Sequence, residues 1–451
     1  MMKRIFLFFS LIVLLTACQD NDDFTTSSSA RLTFTTDTVK LDTIFSGVAS
    51  ATYSFWAHNP GSDGVRLSSV RLLGGNQTGF RVNVDGSYLD NRLGSVVTDL
   101  EVRGGDSIRI FVELTAAPTG MLEPQQLTDK LIFTLESGVT QQVPLLGYAW
   151  DAISLHDLVV GRDTTITSQK PIVVYGGITV DSTATLTLIN TTLYFHDKAG
   201  IDVYGTLSAT NTLMRGDRLD HMFDYLPYDR VSGQWRGLHF FASSGGNTLA
   251  MSEVRNAEDG IVVDSARVDP AWQRLYMKEC IVHNCKGFGV KAIHAYVGME
   301  QCQITNTLFD CVAAYGGAVV IQNCTLAQFY PFTANRGAAL RFTNFYGDYD
   351  YPLETLRCLA SIVTGYADDV VMGEQRDTLT AYNYYFENSL LRTPEIDDST
   401  RFVDIVWELP SDSTEGKRHF VVIDEENLIY DFHLDSLSVA RDKGCYPIRE
   451  K

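Results

Sequence analysis

Asp217 and Asp220 bracket Arg218, and His221 follows. Carboxylates that can hold a hard cation such as calcium, beside a basic group, are what is needed to take a proton from the carbon next to a carboxylate. Asp348 with Asp350, and Asp368 with Asp369, form smaller acidic pairs. The same aspartates equally suit tight turns, and no acids recur at a fixed interval to line a groove. His196, His239, His283 and His294 lack metal-ligand spacing, so no metal and no cofactor are expected. After Cys18 come Cys280, Cys285, Cys302, Cys311, Cys324, Cys358 and Cys445, an odd set without a Cys-x-x-Cys pair. That favours buried small side chains over zinc or a full disulfide framework. Arg215-Gly216-Asp217 spells the cell-adhesion tripeptide and reads equally as a turn. Tyr225, Tyr228, Phe345, Tyr346, Tyr349 and Tyr351 form the candidate binding surface. Exposed aromatics bind sugars and proteins by stacking and burial, and folded back they would cover a core instead.

These aromatics lie in segments that interrupt a repeat. Met277-Lys278-Glu279-Cys280-Ile281-Val282, Met299-Glu300-Gln301-Cys302-Gln303-Ile304 and Ile321-Gln322-Asn323-Cys324-Thr325-Leu326 share one pattern, with cysteines 22 apart. Cys358-Leu359-Ala360-Ser361-Ile362-Val363 and Phe386-Glu387-Asn388-Ser389-Leu390-Leu391 continue it with serine in the cysteine position, and Met251-Ser252-Glu253-Val254 reads as an earlier member. Short strands and polar corners at this period predict a β-solenoid, and three strands per coil would make it a right-handed parallel β-helix over residues 151–451. Residues 31–150 instead show about seven short alternating strands with turns at Asn59-Pro60-Gly61, Asp85-Gly86 and Gly104-Gly105-Asp106, which suggests an immunoglobulin-like β-sandwich. The expected fold class is all-β.

The N-terminus supplies an address. Lys3 and Arg4 precede an apolar run and Thr16-Ala17-Cys18, the layout of a secretory signal over residues 1–17. Leu15-Thr16-Ala17-Cys18 resembles the bacterial lipobox, which makes Cys18 the expected lipidation site and its acyl chains the membrane anchor. Residues 18–30, acidic and then Ser/Thr-rich, read as a flexible tether. Losing Lys3 and Arg4 moves the net charge from −19 to −21. A chain so acidic, without a Lys/Arg cluster, is not expected to bind nucleic acid. Asp followed by Ser or Thr recurs at Asp37, Asp42, Asp106, Asp163, Asp181, Asp264, Asp377, Asp398, Asp412 and Asp435. The triplets beginning there resemble the O-glycosylation acceptor of Bacteroidota envelope proteins, and Asp20, Asp22 and Asp23 resemble the signal that sends Bacteroidota lipoproteins to the outer face of the outer membrane.

Further stretches carry a resemblance over nearly the whole mature chain. They are Asn59-Pro60-Gly61 leading into 66–70, 177–180 followed by 184–188, Gly216-Asp217-Arg218-Leu219, Gly233-Gln234-Trp235-Arg236-Gly237, and Phe432-His433-Leu434 with 438–444. In these the chain resembles Bacteroidota surface lipoproteins that join an immunoglobulin-like domain to a pectate-lyase-like β-helix. The resemblance implies that architecture and says little of activity. The expected role is a non-catalytic binding or scaffold protein facing the cell exterior, attached to an outer-membrane protein or a glycan. A glycan-active lyase using Asp217, Arg218 and Asp220, and a host-directed adhesin, are the competing readings.

Overall fold

The computed structural model describes residues 23–446 except 224, 270–271 and 409–414. The signal segment, Cys18 and Asp412 lie outside the described residues. The chain divides into two compact units that part between Asp151 and Ala152.

The first unit is built from two sheets. One orders Thr33–Phe34, Tyr53–His58, Ser107–Leu114, Phe80–Val84 and Ser87–Tyr88, with antiparallel neighbours. The other orders Val39–Phe45, Thr140–Trp150, Gln125–Leu135 and Val65–Leu72, with the short strands Val96–Val97 and Leu100–Val102 on Val65–Leu72. Alternation decides which faces meet. Ser107–Leu114 buries Ile108, Ile110, Val112 and Leu114 while Arg109 points out, and these aliphatics share a core with Leu67, Val70, Phe133 and Leu145 of the other sheet.

The second unit is one continuous sheet of parallel strands wound into coils of three strands each. A representative coil runs through Ile281–Cys285 on a first face, 290–293 on a second and 295–300 on a third, and the next coil lies on it in register, Val282 beside Ile304 and Val290 beside Val312. Coils begin at Ile153–Val160, well before the cysteine-marked repeat, and continue to Val406–Trp407. Inward aliphatics stack along the lumen, which Trp235 fills against Phe195 with rings 4.2 Å apart and its Nε1 donating to the Arg255 carbonyl at 2.7 Å. Gly237, at φ +98°, must be glycine there, because a Cβ would sit 1.7 Å from the Asp259 carbonyl oxygen. Phe342, Tyr382, Phe386, Phe402 and Trp407 pack into the lumen of the last coils.

The corner between third and first faces explains the repeat. From Asn190 to Asn388 one residue at this corner of each coil adopts the left-handed conformation, namely Asn190, Asn211, Met251, Glu279, Gln301, Asn323, Ala360 and Asn388. The next residue is Thr191, Thr212, Ser252, Cys280, Cys302, Cys324, Ser361 or Ser389. From Thr212 onward its hydroxyl or thiol donates to the carbonyl two residues back, as Cys280, Cys302 and Cys324 do at 3.3 Å and Ser252 and Ser361 at 2.8 Å. It also accepts from the coil before: Cys302 N–H donates to Cys324 Sγ at 3.4 Å, and Cys324 N–H to Ser361 Oγ at 3.0 Å. The cysteines are buried and stacked as expected, yet they are hydrogen-bonding corner residues as much as small hydrophobes. This is why serine and threonine replace them freely and why alanine does not.

Beyond the last coil the chain turns back. The hairpin of Phe420–Asp424 and Ile429–Leu434 lies on the first face, where Phe420, Phe432 and Leu434 pack on Ala327, Phe329, Ile362 and Leu390. The closing residues follow the same path, with Gly444 N–H on the Ala360 carbonyl at 2.9 Å and Cys445 N–H on Thr325 Oγ1 at 3.2 Å.

Candidate functional site

Five of the six acidic candidates are engaged by neighbouring basic side chains or backbone. Asp217 lies 2.7 Å from His196 Nδ1, and Arg218 makes a two-pronged contact to Asp220 at 2.7 and 2.5 Å while lying 4.1 Å over the Tyr228 ring. The hydrogen bonds that Arg218 donates to Asp220 hold its guanidinium pKa above the ordinary value. Asp350 pairs with Arg376 at 2.9 Å, Asp368 lies 3.6 Å from Arg392, and Asp369 accepts the Val371 N–H. Among the described residues no group of three or more His, Cys, Asp and Glu is placed to hold a metal.

The Arg215-Gly216-Asp217 tripeptide ends the strand Thr206–Gly216 and is not a loop tip. Gly216 is buried, Arg215 donates to the Gly216 and Arg218 carbonyls, and burial lowers its pKa.

The aromatic candidates split. Tyr346 accepts from Lys291 Nζ at 2.8 Å and packs on Tyr315, Tyr351 stacks 5.0 Å from His294, Phe345 lies under Arg376, and Tyr228 lies under Arg218. These four cover the solenoid. Tyr349 and Tyr225 are exposed, and Tyr225 shares the hairpin of His221–Phe223 and Leu226–Pro227 with exposed Met222 and Phe223, its ring 5.6 Å from that of Phe223.

A cleft of about 360 Å³ lies between the first face and the C-terminal hairpin. The first face changes character along its length. At the first and third positions after each corner residue it presents Glu253 and Arg255, then Ile281 and His283, then Gln303 and Thr305, followed by Thr325 and Ala327, Ile362 and Thr364, Leu390 and Arg392. The hairpin seats on the apolar later coils and overhangs the polar earlier ones, and the cleft opens at that change. Its floor carries Arg255, His283, Asn284 and Gln303, and its roof Tyr430, Asp431, His433 and Tyr446. His283 Nδ1 is 2.8 Å from Thr305 Oγ1, and burial, with help from Arg255, lowers its pKa to about 3, which keeps the imidazole neutral. Arg255 pairs with Glu253, and Asp431 meets His433 at 2.6 Å, with that ring stacked 4.4 Å from Tyr446. None of these residues was singled out as a site from the sequence, although the polar-to-apolar change after successive corner residues was there to be read once the repeat was aligned.

Comparisons with known proteins agree with the coil geometry. A family model described as a right-handed β-helix region matches residues 159–326, and a prokaryotic membrane lipoprotein lipid attachment site matches residues 2–19. No curated protein matches the chain. Solved structures with partial likeness include the Vibrio cholerae VesB protease (13% identity, 26% of this chain and 31% of that one, TM-score 0.17). A PapD-like domain of human CEP192 (14%, 28% and 89%, TM-score 0.18) and a family 123 glycoside hydrolase from Clostridium perfringens (7%, 27% and 26%, TM-score 0.18) are others. This chain thus spans about a third or less of the protease and the hydrolase. The attachment site and the coiled parallel sheet together make the chain a membrane-anchored lipoprotein with a right-handed β-helix.

Proposed function

We propose that this lipoprotein sits in the outer membrane facing the cell exterior, where its solenoid is a non-catalytic scaffold that binds an envelope protein through the hairpin carrying Met222, Phe223 and Tyr225. The observation behind this reading is the exposure of those three side chains together, Tyr225 at 79%. A cluster of large apolar side chains held out in water is costly unless a partner covers it. The hairpin is stiffened at its base by the Arg218–Asp220 pair and by Tyr228, so it presents a preformed surface. The outward address is supported by the acidic run after Cys18 and by the Asp-Ser/Thr triplets, and membership of the Bacteroidota surface lipoproteins by the resemblance given above. An immunoglobulin-like assignment for the first unit is supported by its strand order. It departs from that plan in Val96–Val97 and Leu100–Val102, which join the second sheet after the chain has already visited the first.

Affinity recovery from native envelopes tests the reading. The wild type should retain a stable protein partner that a Phe223→Ser, Tyr225→Ser variant loses. Protease added to intact cells should remove the protein, and a Cys18→Ser variant should leave the membrane. Equal recovery by the variant would refute the hairpin's role. Release of unsaturated sugars from a polysaccharide, abolished by substitution of Asp217 or Arg218, would replace the scaffold with a lyase.

A further inference from the structure

We propose that the cleft under the C-terminal hairpin is a binding site for a neutral saccharide of one or two units, separate from the exposed hairpin. Its volume, about 360 Å³, lies at the small end of the range for small-molecule sites, roughly 300–1,000 Å³. Two observations point to a ligand. Asn284 is only 4% exposed and lines the cleft, yet among the described residues its side-chain amide has no hydrogen-bond partner. The buried Tyr430 hydroxyl, on the opposite wall, has no hydrogen-bond partner among the described residues either. The Tyr430 hydroxyl, removed from water without a partner, costs about 1–3 kcal/mol, while the Asn284 amide, which the cleft leaves open to solvent, is free to bond what enters, so the two together are complemented by a ligand that bonds them.

Corner geometry accounts for asparagine at position 284, which is left-handed at φ +57°, as are Asn256 and Asn306 at the same corner of neighbouring coils. It does not account for the amide facing a cavity. Asn256 donates to the Asp229 and Val231 carbonyls and Asn306 is sealed in the coil, whereas Asn284 opens onto the space that the overhanging hairpin encloses.

The class of ligand follows from the lining. Its two guanidinium groups, Arg230 and Arg255, are matched by the carboxylates Asp229 and Asp431, so no net charge invites an ion. Arg255 is further engaged by Glu253, and Arg230 by the Asn427 carbonyl. What remains is a mixture of donors and acceptors, in Asn284, Gln303 and the neutral His283, beside the faces of Tyr430 and Tyr446. Alternating hydroxyls with one apolar ring face are the complement of such a surface, which is the chemistry of a neutral sugar.

Saturation-transfer NMR on the mature lipoprotein in nanodiscs tests this, using glucose, galactose, mannose, N-acetylglucosamine, maltose and cellobiose, with galacturonate as the charged comparator. At least one neutral sugar should bind saturably and raise the thermal midpoint of the protein. Asn284→Gly keeps the left-handed corner and removes the amide, and Tyr430→Phe keeps the ring and removes the hydroxyl. Each should weaken binding about tenfold, the value of one or two hydrogen bonds. Phe223→Ser should leave sugar binding unchanged, which separates this site from the hairpin surface. No saturable signal from any neutral sugar, preference for galacturonate, or undiminished affinity in both cleft variants would overturn the proposal.

Discussion

Replacing Glu408 by leucine should loosen the C-terminal hairpin more than any single change on the solenoid surface. Arg392 is fully buried and meets Glu408 Oε1 at 3.1 Å, while Glu408 Oε2 accepts from Thr364 at 2.6 Å and His419 stands 3.6 Å away on the chain entering the hairpin. Removing one partner of a buried pair leaves the other charge uncompensated and costs about 3–5 kcal/mol. Arg392 keeps the Ala367 carbonyl at 2.7 Å and a mostly exposed Asp368 at 3.6 Å, so the lower end, about 3 kcal/mol, is expected. The double variant Arg392→Met, Glu408→Leu removes both charges and should recover most of the loss, because the buried pair gains little over apolar packing. Urea unfolding, paired with limited proteolysis of the 415–446 segment, measures both quantities. A Glu408→Leu variant within about 0.5 kcal/mol of wild type, or a double variant as unstable as the single, would refute the reasoning.

Three further outcomes follow from the same geometry. Asn323→Val places a β-branched residue at φ +51° and should cost about 1–2 kcal/mol in urea unfolding, whereas Asn323→Gly should be near neutral. The folded pKa of His283, about 3, lies below the unfolded value near 6.5, so its contribution is complete above pH ~6.5 and declines as pH falls toward 3. His283→Gln should therefore flatten the fall of the unfolding midpoint between neutral and mildly acid pH, and an unchanged slope would contradict a neutral buried imidazole. The hydrogen bond with Cys302, and then burial, raise the thiol pKa of Cys280, and burial raises that of Cys302 and, to about 12, those of Cys311 and Cys358, so native protein should resist thiol-labelling reagents at neutral pH until it unfolds. Rapid labelling of Cys302 in the folded state would show the corner to be open.

The sequence by itself determined the lipid anchor and the coil. A signal segment before Cys18 is a linear message, read by residue type without any fold. The spacing of Cys280, Cys302 and Cys324 is equally local, because in-register parallel stacking forces equal coil lengths and puts one residue type at one corner. Where the corner residue was Thr212, the same coil was present but the signal was lost, since hydroxyl and thiol fill one hydrogen-bonding role that a search for cysteines does not recognise. Only the tertiary structure decided which polar residues meet. Arg255, His283 and Thr305 are brought into line by register, with Gln303 beside Ile281, and Tyr430, His433 and Tyr446 reach the cleft because the chain turns back after Trp407 and seats on Ala327, Ile362 and Leu390. That return is driven by non-directional burial of apolar surface between segments distant in sequence, which leaves no periodic trace in either segment alone. The exposure of Tyr225 and the covering role of Tyr346 were undecided for the same reason: both are tyrosines in insertions, and only packing against Lys291 and Tyr315 separates the covered ring from the free one.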